Sequence, residues 1–186
     1  MKRLPRSFYA RKTEKVAKDL LGKILVLGEC RGKIVETEAY FGPNDPASHA
    51  YRKITKRNQI MFLKPGTCYV YFTYGNHWML NVVTEKEGIP GATLIRAVEP
   101  LEGIKIMKRR RGIKNINNLT NGPGKLTKAF GINKKHNGLD TVKDEIFIEN
   151  YREKPRIHTT TRVGIKMGKN MPLRFYIRGN KFISRK

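Results

Sequence analysis

Apolar residues in this chain come in short, β-branched or aromatic bursts separated by Gly, Pro and Asn, a spacing that favours strands over long helices. Residues 23–27, 33–40, 68–74, 78–84, 92–98, 145–150 and 172–179 each read as a strand. Helical periodicity is confined to three stretches. Residues 12–22 place Val16, Ala17, Leu20 and Leu21 on one stripe, with Thr13 near the start and Gly22 as a stop. Residues 100–112 predict a helix ending in a basic cluster, and residues 122–132 one with Pro123 in its first turn. Residues 112–122 are polar enough to form a mobile loop. Strands with a few interspersed helices, lacking regular βαβ alternation, predict an α+β fold with a largely antiparallel sheet.

The strand at 33–40 has an unusual face. Side chains two apart point the same way, so Ile34, Glu36, Glu38 and Tyr40 share one side while Val35, Thr37 and Ala39 share the other. Such a face is either a solvated acidic surface or a site in which a carboxylate beside aromatics acts as a general base. A loop ending in His49 follows directly. Residues 65–83 flank Gly75-Asn76 with two strand-like runs, predicting a hairpin with Tyr74 at its tip. Tyr69, Tyr71 and Phe72 suit core or cross-strand pairing, but a large ring beside a tight turn has little to pack on. Asn81, among apolar neighbours, requires hydrogen-bond partners if buried.

Composition adds a partner. The 186 residues carry 39 Lys plus Arg against 15 Asp plus Glu, a net charge of +24, and a polyanion is the first inference from such a balance. A solvated basic surface is the alternative. The length suits one domain with its own core, spanning 1–186. No apolar run approaches the roughly 20 residues needed to cross a bilayer, and the basic N-terminus lacks the apolar stretch of a signal peptide, so a cytoplasmic protein without membrane contact is expected. Cys30 and Cys68 have neither CxxC spacing nor nearby paired histidines; partly buried thiols are expected, with no metal or other cofactor. His77, His136 and His158 read as surface residues. Lys125 follows Gly-Pro-Gly at a helix start, a weak phosphate signal, and Arg96 alternates with apolar neighbours in ATLIRAV.

Several long motifs occur in order: VETEAY with GPNDPASH (35–49), RNQIMFLKPGTCYVYFTYGNHWMLN (57–81), LIRAVEPLEG (94–103), NGPGKLTKAFGI (121–132) and PLRFYIRG (172–179). Together they resemble the alkyladenine (3-methyladenine, methylpurine) DNA glycosylase family. The resemblance implies one α/β domain with a curved antiparallel sheet and a hairpin reaching toward DNA. It also implies monofunctional, metal-independent hydrolysis: the family's chemistry is a Glu-activated water acting on a purine flipped out of duplex DNA, without a lyase step. Residue by residue, Glu38 matches the general base and Arg96 the arginine that helps hold the water. Tyr40, His49 and Tyr71 match the groups that sandwich and hydrogen-bond the base. Asn81 matches the asparagine that crowds guanine, and Tyr74 the residue inserted into the duplex. Arg57 and Lys125 are candidate DNA-backbone contacts, and Glu36 is assigned a supporting structural role. The expected partner is double-stranded DNA containing an alkylated or deaminated purine, bound by a monomer. A non-catalytic nucleic-acid-binding module is the alternative, and a lysine-based lyase a third reading. Trp78 sits between Tyr74 and Asn81, where a larger ring could reshape the pocket, and the sequence leaves its effect and the substrate range open.

Overall fold

In the computed structural model, which describes residues 2–73 and 75–185, the bursts of β-formers become eight strands of one antiparallel sheet. The strands are β1 (Ile24–Leu27), β2 (Cys30–Tyr40), β3 (Cys68–Thr73), β4 (His77–Val83), β5 (Ala92–Glu102), β6 (Ile146–Glu149), β7 (Ile157–Thr160) and β8 (Arg174–Ile177). Their main order is β3-β4-β5-β2-β1-β6, and β8 joins β2 and β7. β2 pairs along its length with β5; on its other edge it pairs first with β1 and then, from Glu36 to Glu38, with β8. One strand thus serves two neighbours in succession, and the sheet curls into a half-barrel.

Among the described residues there are four α-helices: α1 (Arg6–Tyr9), α2 (Thr13–Asp19), α3 (Ile104–Arg111) and α4 (Pro123–Phe130). α2 lays Val16 and Ala17 on the main core, joined by Leu20 and Leu21 just beyond its end. Thr37, from the small-residue face of β2, donates its hydroxyl to Ala17 O at 2.8 Å. α2 is shorter than predicted because Leu20 already closes the helix ahead of Gly22, whose φ is +84°. α3 starts later than predicted, since β5 continues through Pro100 to Glu102 and Gly103 makes the turn. α1 and β7 have no counterpart in the sequence reading. Each is only four residues long, too short for periodicity to register.

Several expectations change. Ile34 does not share the face of the glutamates but lies with Val35 in the apolar core. A register shift between Ile34 and Glu36 breaks the alternation, and a second between Glu36 and Thr37 restores it, as expected where a bulge interrupts a ladder. Residues 112–122 are not uniformly loose. Leu119 and Thr120 are fully buried, and Thr120 donates to Val98 O at 2.6 Å. Both cysteines are completely buried free thiols rather than partly exposed ones. His136 is also buried, accepting the Asn133 N–H at 3.1 Å in a capping box. Trp78 faces the core side of β4 and packs against Phe72 at 4.9 Å, because it alternates with Met79 and Asn81. It does not line the pocket. Among the described residues, no helix is long and apolar enough to cross a membrane.

Gly124 shows how tightly α4 is docked. A Cβ there would lie 2.7 Å from His77 Cγ and 3.0 Å from His77 Cβ, atoms too close to the β4 backbone to swing away. Gly124→Ala is therefore expected to lower stability by about 1–3 kcal/mol, read as a shift of the urea midpoint; an unchanged midpoint would show that the helix start can move freely.

Candidate functional site

Four adjacent strands contribute one face each to a single cavity of about 450 Å³, within the roughly 300–1,000 Å³ usual for small-molecule sites. β2 supplies Tyr40, β3 Tyr69 and Tyr71, β4 Met79 and Asn81, and β5 Leu94 and Arg96. The period-two rule explains the set: within each strand the lining residues are two apart. The remaining wall comes from His49, from Pro123 at the start of α4, and from residues 163–167. A second, smaller apolar cluster of Ala50, Met61, Tyr69, Val83 and Ala92 supports the aromatic side.

The two glutamates of β2 are both fully buried, which rules out a solvated acidic face. Their surroundings differ. Glu36 accepts four donors: Arg96 Nε at 2.9 Å, Arg174 Nε at 2.7 Å, Ser184 Oγ at 2.8 Å and Ser184 N–H at 2.5 Å. Three of these donors converge on Oε1 and one on Oε2, and apart from Arg96 they come from Arg174 and Ser184, neither of which lines the cavity. Glu38 accepts the Tyr40 hydroxyl at 2.8 Å and the Val163 N–H at 2.8 Å, and faces Arg96 Nη1 at 3.2 Å. Among the described residues Oε1 receives only the Val163 N–H, which leaves it a further acceptor position. Glu38 lies one side chain behind the cavity, screened by Tyr40, Arg96 and Val163, all of which line it.

Charge around this pair is nearly balanced. Arg96 bridges both glutamates, and their carboxylates raise its pKa against the opposing pull of burial. Tyr40 is pushed well above the usual phenol value by burial first and by the Glu38 carboxylate second. It therefore remains a proton donor to Glu38.

On the opposite wall, His49 Nδ1 lies 2.8 Å from the Tyr69 hydroxyl, and its ring meets Tyr71 edge-on at 4.7 Å. Burial pushes Tyr69 up to about 12, so the phenol keeps its proton. Burial, aided by the nearby Arg57 cation, lowers His49 from 6.5 to about 4. The imidazole is neutral at pH 7. Between these two values the unfolded chain binds the proton that the folded chain refuses, so acidification from pH 6.5 to 4 destabilises the fold through this group, by less than the full shift because the residue is partly open to solvent, which screens it. Urea denaturation of wild type beside His49→Gln should show that loss only in the wild type; parallel pH curves would contradict it.

Asn81 is buried and donates from Nδ2 to Tyr69 O at 3.1 Å, so its side-chain amide is held in a fixed direction at the cavity wall. Arg57 stacks on Tyr71 with 4.8 Å between guanidinium and ring centroid. Lys125 stands on the first turn of α4 and donates to Asn121 Oδ1 at 2.9 Å, outside the cavity. The structure thus brings Glu38, Tyr40, His49, Tyr71, Asn81 and Arg96 together, with Arg57 against the same wall. Tyr74, the expected tip residue, lies outside the described residues; the strands on either side of it pair as a hairpin closed by Thr73 and His77.

Sequence reasoning missed the buried pair of Arg162 and Asp45. Arg162 Nη1 and Nη2 meet the two carboxylate oxygens at 2.5 and 2.7 Å, Nη1 also donates to Ala39 O at 3.0 Å, and the guanidinium sits 4.7 Å from the Tyr40 ring centroid. Asp45 also accepts the N–H groups of Phe41 and Ala47. One ion pair therefore ties together the end of β2, the loop leading to His49 and the segment carrying Val163. A lone aspartate in a Pro-flanked loop and a lone arginine after three threonines gave no signal. Tyr69, read as a packing residue, proves to be a cavity wall and the partner of His49.

The family model described as methylpurine-DNA glycosylase matches residues 7–181. Relatives carrying the name "Putative 3-methyladenine DNA glycosylase" align over nearly all of both chains. The one from Carboxydothermus hydrogenoformans is 51% identical over 98% of this chain and 99% of its own. That from Prosthecochloris aestuarii is 49% identical over 100% and 92%, and that from Chlorobium phaeobacteroides strain BS1 47% identical over 100% and 97%.

Proposed function

The chain belongs to the methylpurine-DNA glycosylase family, hydrolases of N-glycosyl bonds in DNA, and from that premise we propose that it excises alkylated or deaminated purines by a Glu38-activated water, without cutting the strand. The observation that carries this reading is the contrast between two buried glutamates: Glu38 is held by Tyr40, Val163 and Arg96, all of which line the cavity, whereas Glu36 is held mainly by Arg174 and Ser184, which do not.

A purine inside a duplex is out of reach, so it must be flipped out at a cost of a few kcal/mol, least for a damaged or mispaired base. The cavity is large enough for the base, and Tyr40 and Tyr71 offer ring faces on which it stacks. A cationic alkylated purine gains further from these rings and leaves more readily. With Nδ1 accepting the Tyr69 hydroxyl, His49 carries its proton on Nε2 and acts as a neutral donor to the base. The rigid Asn81 amide discriminates by crowding an exocyclic amine. Water held between Glu38 and Arg96 gives up its proton to Glu38 as its oxygen attacks the anomeric carbon, and the glycosidic electron pair leaves with the base. The product is an abasic site. Tyr74 fills the vacated position in the stack, and Arg57 and Lys125 contact the DNA backbone. The whole 1–186 chain acts as one monomeric glycosylase domain.

The test is single-turnover excision, with EDTA present, on duplexes carrying one hypoxanthine or one ethenoadenine, followed on methylated DNA. Alkali-dependent strand cleavage is expected. Cleavage without alkali, or a covalent adduct trapped by borohydride, would point to a lyase instead; no excision of any lesion with retained binding would favour the non-catalytic module.

A further inference from the structure

We propose that Glu36, Arg174 and Ser184 form a clamp that positions Arg96 against Glu38, making the segment around Ser184 part of the working site rather than a trailing end. The inference rests on the proposed roles of Glu38 and Arg96.

Arg96 is gripped on three sides. Its Nε donates to Glu36 at 2.9 Å, its Nη2 to Ser184 Oγ at 3.1 Å, and its Nη1 faces Glu38 at 3.2 Å. Only the last contact concerns the proposed base; the other two hold the guanidinium in the plane that makes the last possible. Ser184 suits this place because a hydroxyl both donates and accepts: it gives its hydrogen to Glu36 at 2.8 Å while receiving that of Arg96. Its main-chain N–H holds the other Glu36 oxygen. Arg174 closes the far side, donating to Glu36 at 2.7 Å and, through Nη2, to the Arg185 carbonyl.

Charge explains why the set is needed. Glu36, Glu38, Arg96 and Arg174 are each less than 10% exposed, two anions against two cations. Buried ions require such pairing with good geometry, and the carboxylates of Glu36 and Glu38 lie on one face of β2. Arg96 alone between them would be drawn equally to both. Arg174 and Ser184 satisfy Glu36, so that Arg96 can present Nη1 to Glu38. Phe182 and Ile183 pack against the core immediately before Ser184, which seats it. Glu36, Arg96 and Arg174 lie within the residues matched by the family model, 7–181, whereas Ser184 lies beyond them.

The clamp is tested with Ser184→Ala and Ser184→Thr, assayed beside wild type for single-turnover rate on a hypoxanthine duplex, for Kd of the same duplex, and for Tm. Removing a hydrogen bond to a charged group should slow excision about tenfold or more in Ser184→Ala, with Kd within about twofold, while Ser184→Thr, which keeps the hydroxyl, recovers most of the rate. A merely structural serine would lower Tm and leave the rate of the folded enzyme alone. An unchanged rate in Ser184→Ala, or no recovery in Ser184→Thr, overturns the clamp even though the wild type excises the base. No excision by the wild type on any lesion would overturn the proposed function and this inference with it.

Discussion

Glu38→Gln is expected to reduce single-turnover excision by about 10²–10⁴-fold, the usual worth of a general base, while binding of lesion-containing duplex is largely kept. The substitution changes almost no volume but reverses the hydrogen-bond sense of one end of the side chain. Glu38 now receives the Val163 N–H on Oε1 and faces Tyr40 and Arg96 on Oε2. Whichever end the amide nitrogen takes, it meets a donor. Nitrogen in place of Oε1 confronts the Val163 N–H and also removes the acceptor position available to water; nitrogen in place of Oε2 confronts Arg96. Arg96 loses one of its two carboxylates but keeps Glu36, so the fold should survive with a reduced Tm. Excision rate and Kd measured on the same preparation decide the matter. A rate close to wild type would remove Glu38 from the chemistry, and an equal loss of rate and binding would make it a folding residue only.

Arg162→Met should cost about 3–5 kcal/mol of stability, the penalty for leaving one member of a buried pair unpaired. Asp45 and Arg162 side chains are both wholly inaccessible, and the carboxylate is gripped by two guanidinium nitrogens. Without Arg162, Asp45 keeps only its two backbone N–H donors, from Phe41 and Ala47. Domains of this size are stable by only about 5–15 kcal/mol, so the variant should sit near the edge of folding. The companion Arg162→Met/Asp45→Asn removes the stranded charge and should recover part of the loss. Urea denaturation of wild type, both single variants and the double variant yields the coupling between the two residues. A loss below about 1 kcal/mol would be typical of an exposed pair and incompatible with the burial seen. Because Arg162 also lies on the Tyr40 ring and bonds Ala39 O, weaker lesion binding should accompany the loss.

The strands were legible because their alternation and their Gly, Pro and Asn punctuation are local properties. So was the sharing of one face by Glu36, Glu38 and Tyr40. Ile34 was misplaced since a bulge depends on the neighbouring strand, and the missing residue in the ladder leaves no mark on β2 itself. β7 escaped notice because His158, Thr159 and Thr160 carry no apolar alternation and extend only by pairing with β8. The sequence left the effect of Trp78 on the pocket open; its odd spacing from Asn81 on β4 turns it to the other side, against the core.

By itself the sequence determined the element types apart from α1 and β7, the acidic and aromatic face of β2, the hairpin around Gly75 and, through its ordered motifs, the family. Only the tertiary structure decided which glutamate is held by the residues of the cavity wall. Glu36 and Glu38 are the same residue type two positions apart on one face, and no local pattern separates them. The difference comes from partners contributed by residues 96, 163, 174 and 184, reached across separations of 60 to 148 residues. Such contacts depend on how strands are ordered in the curled sheet, and hydrogen bonds made after that ordering leave no periodic trace along the chain.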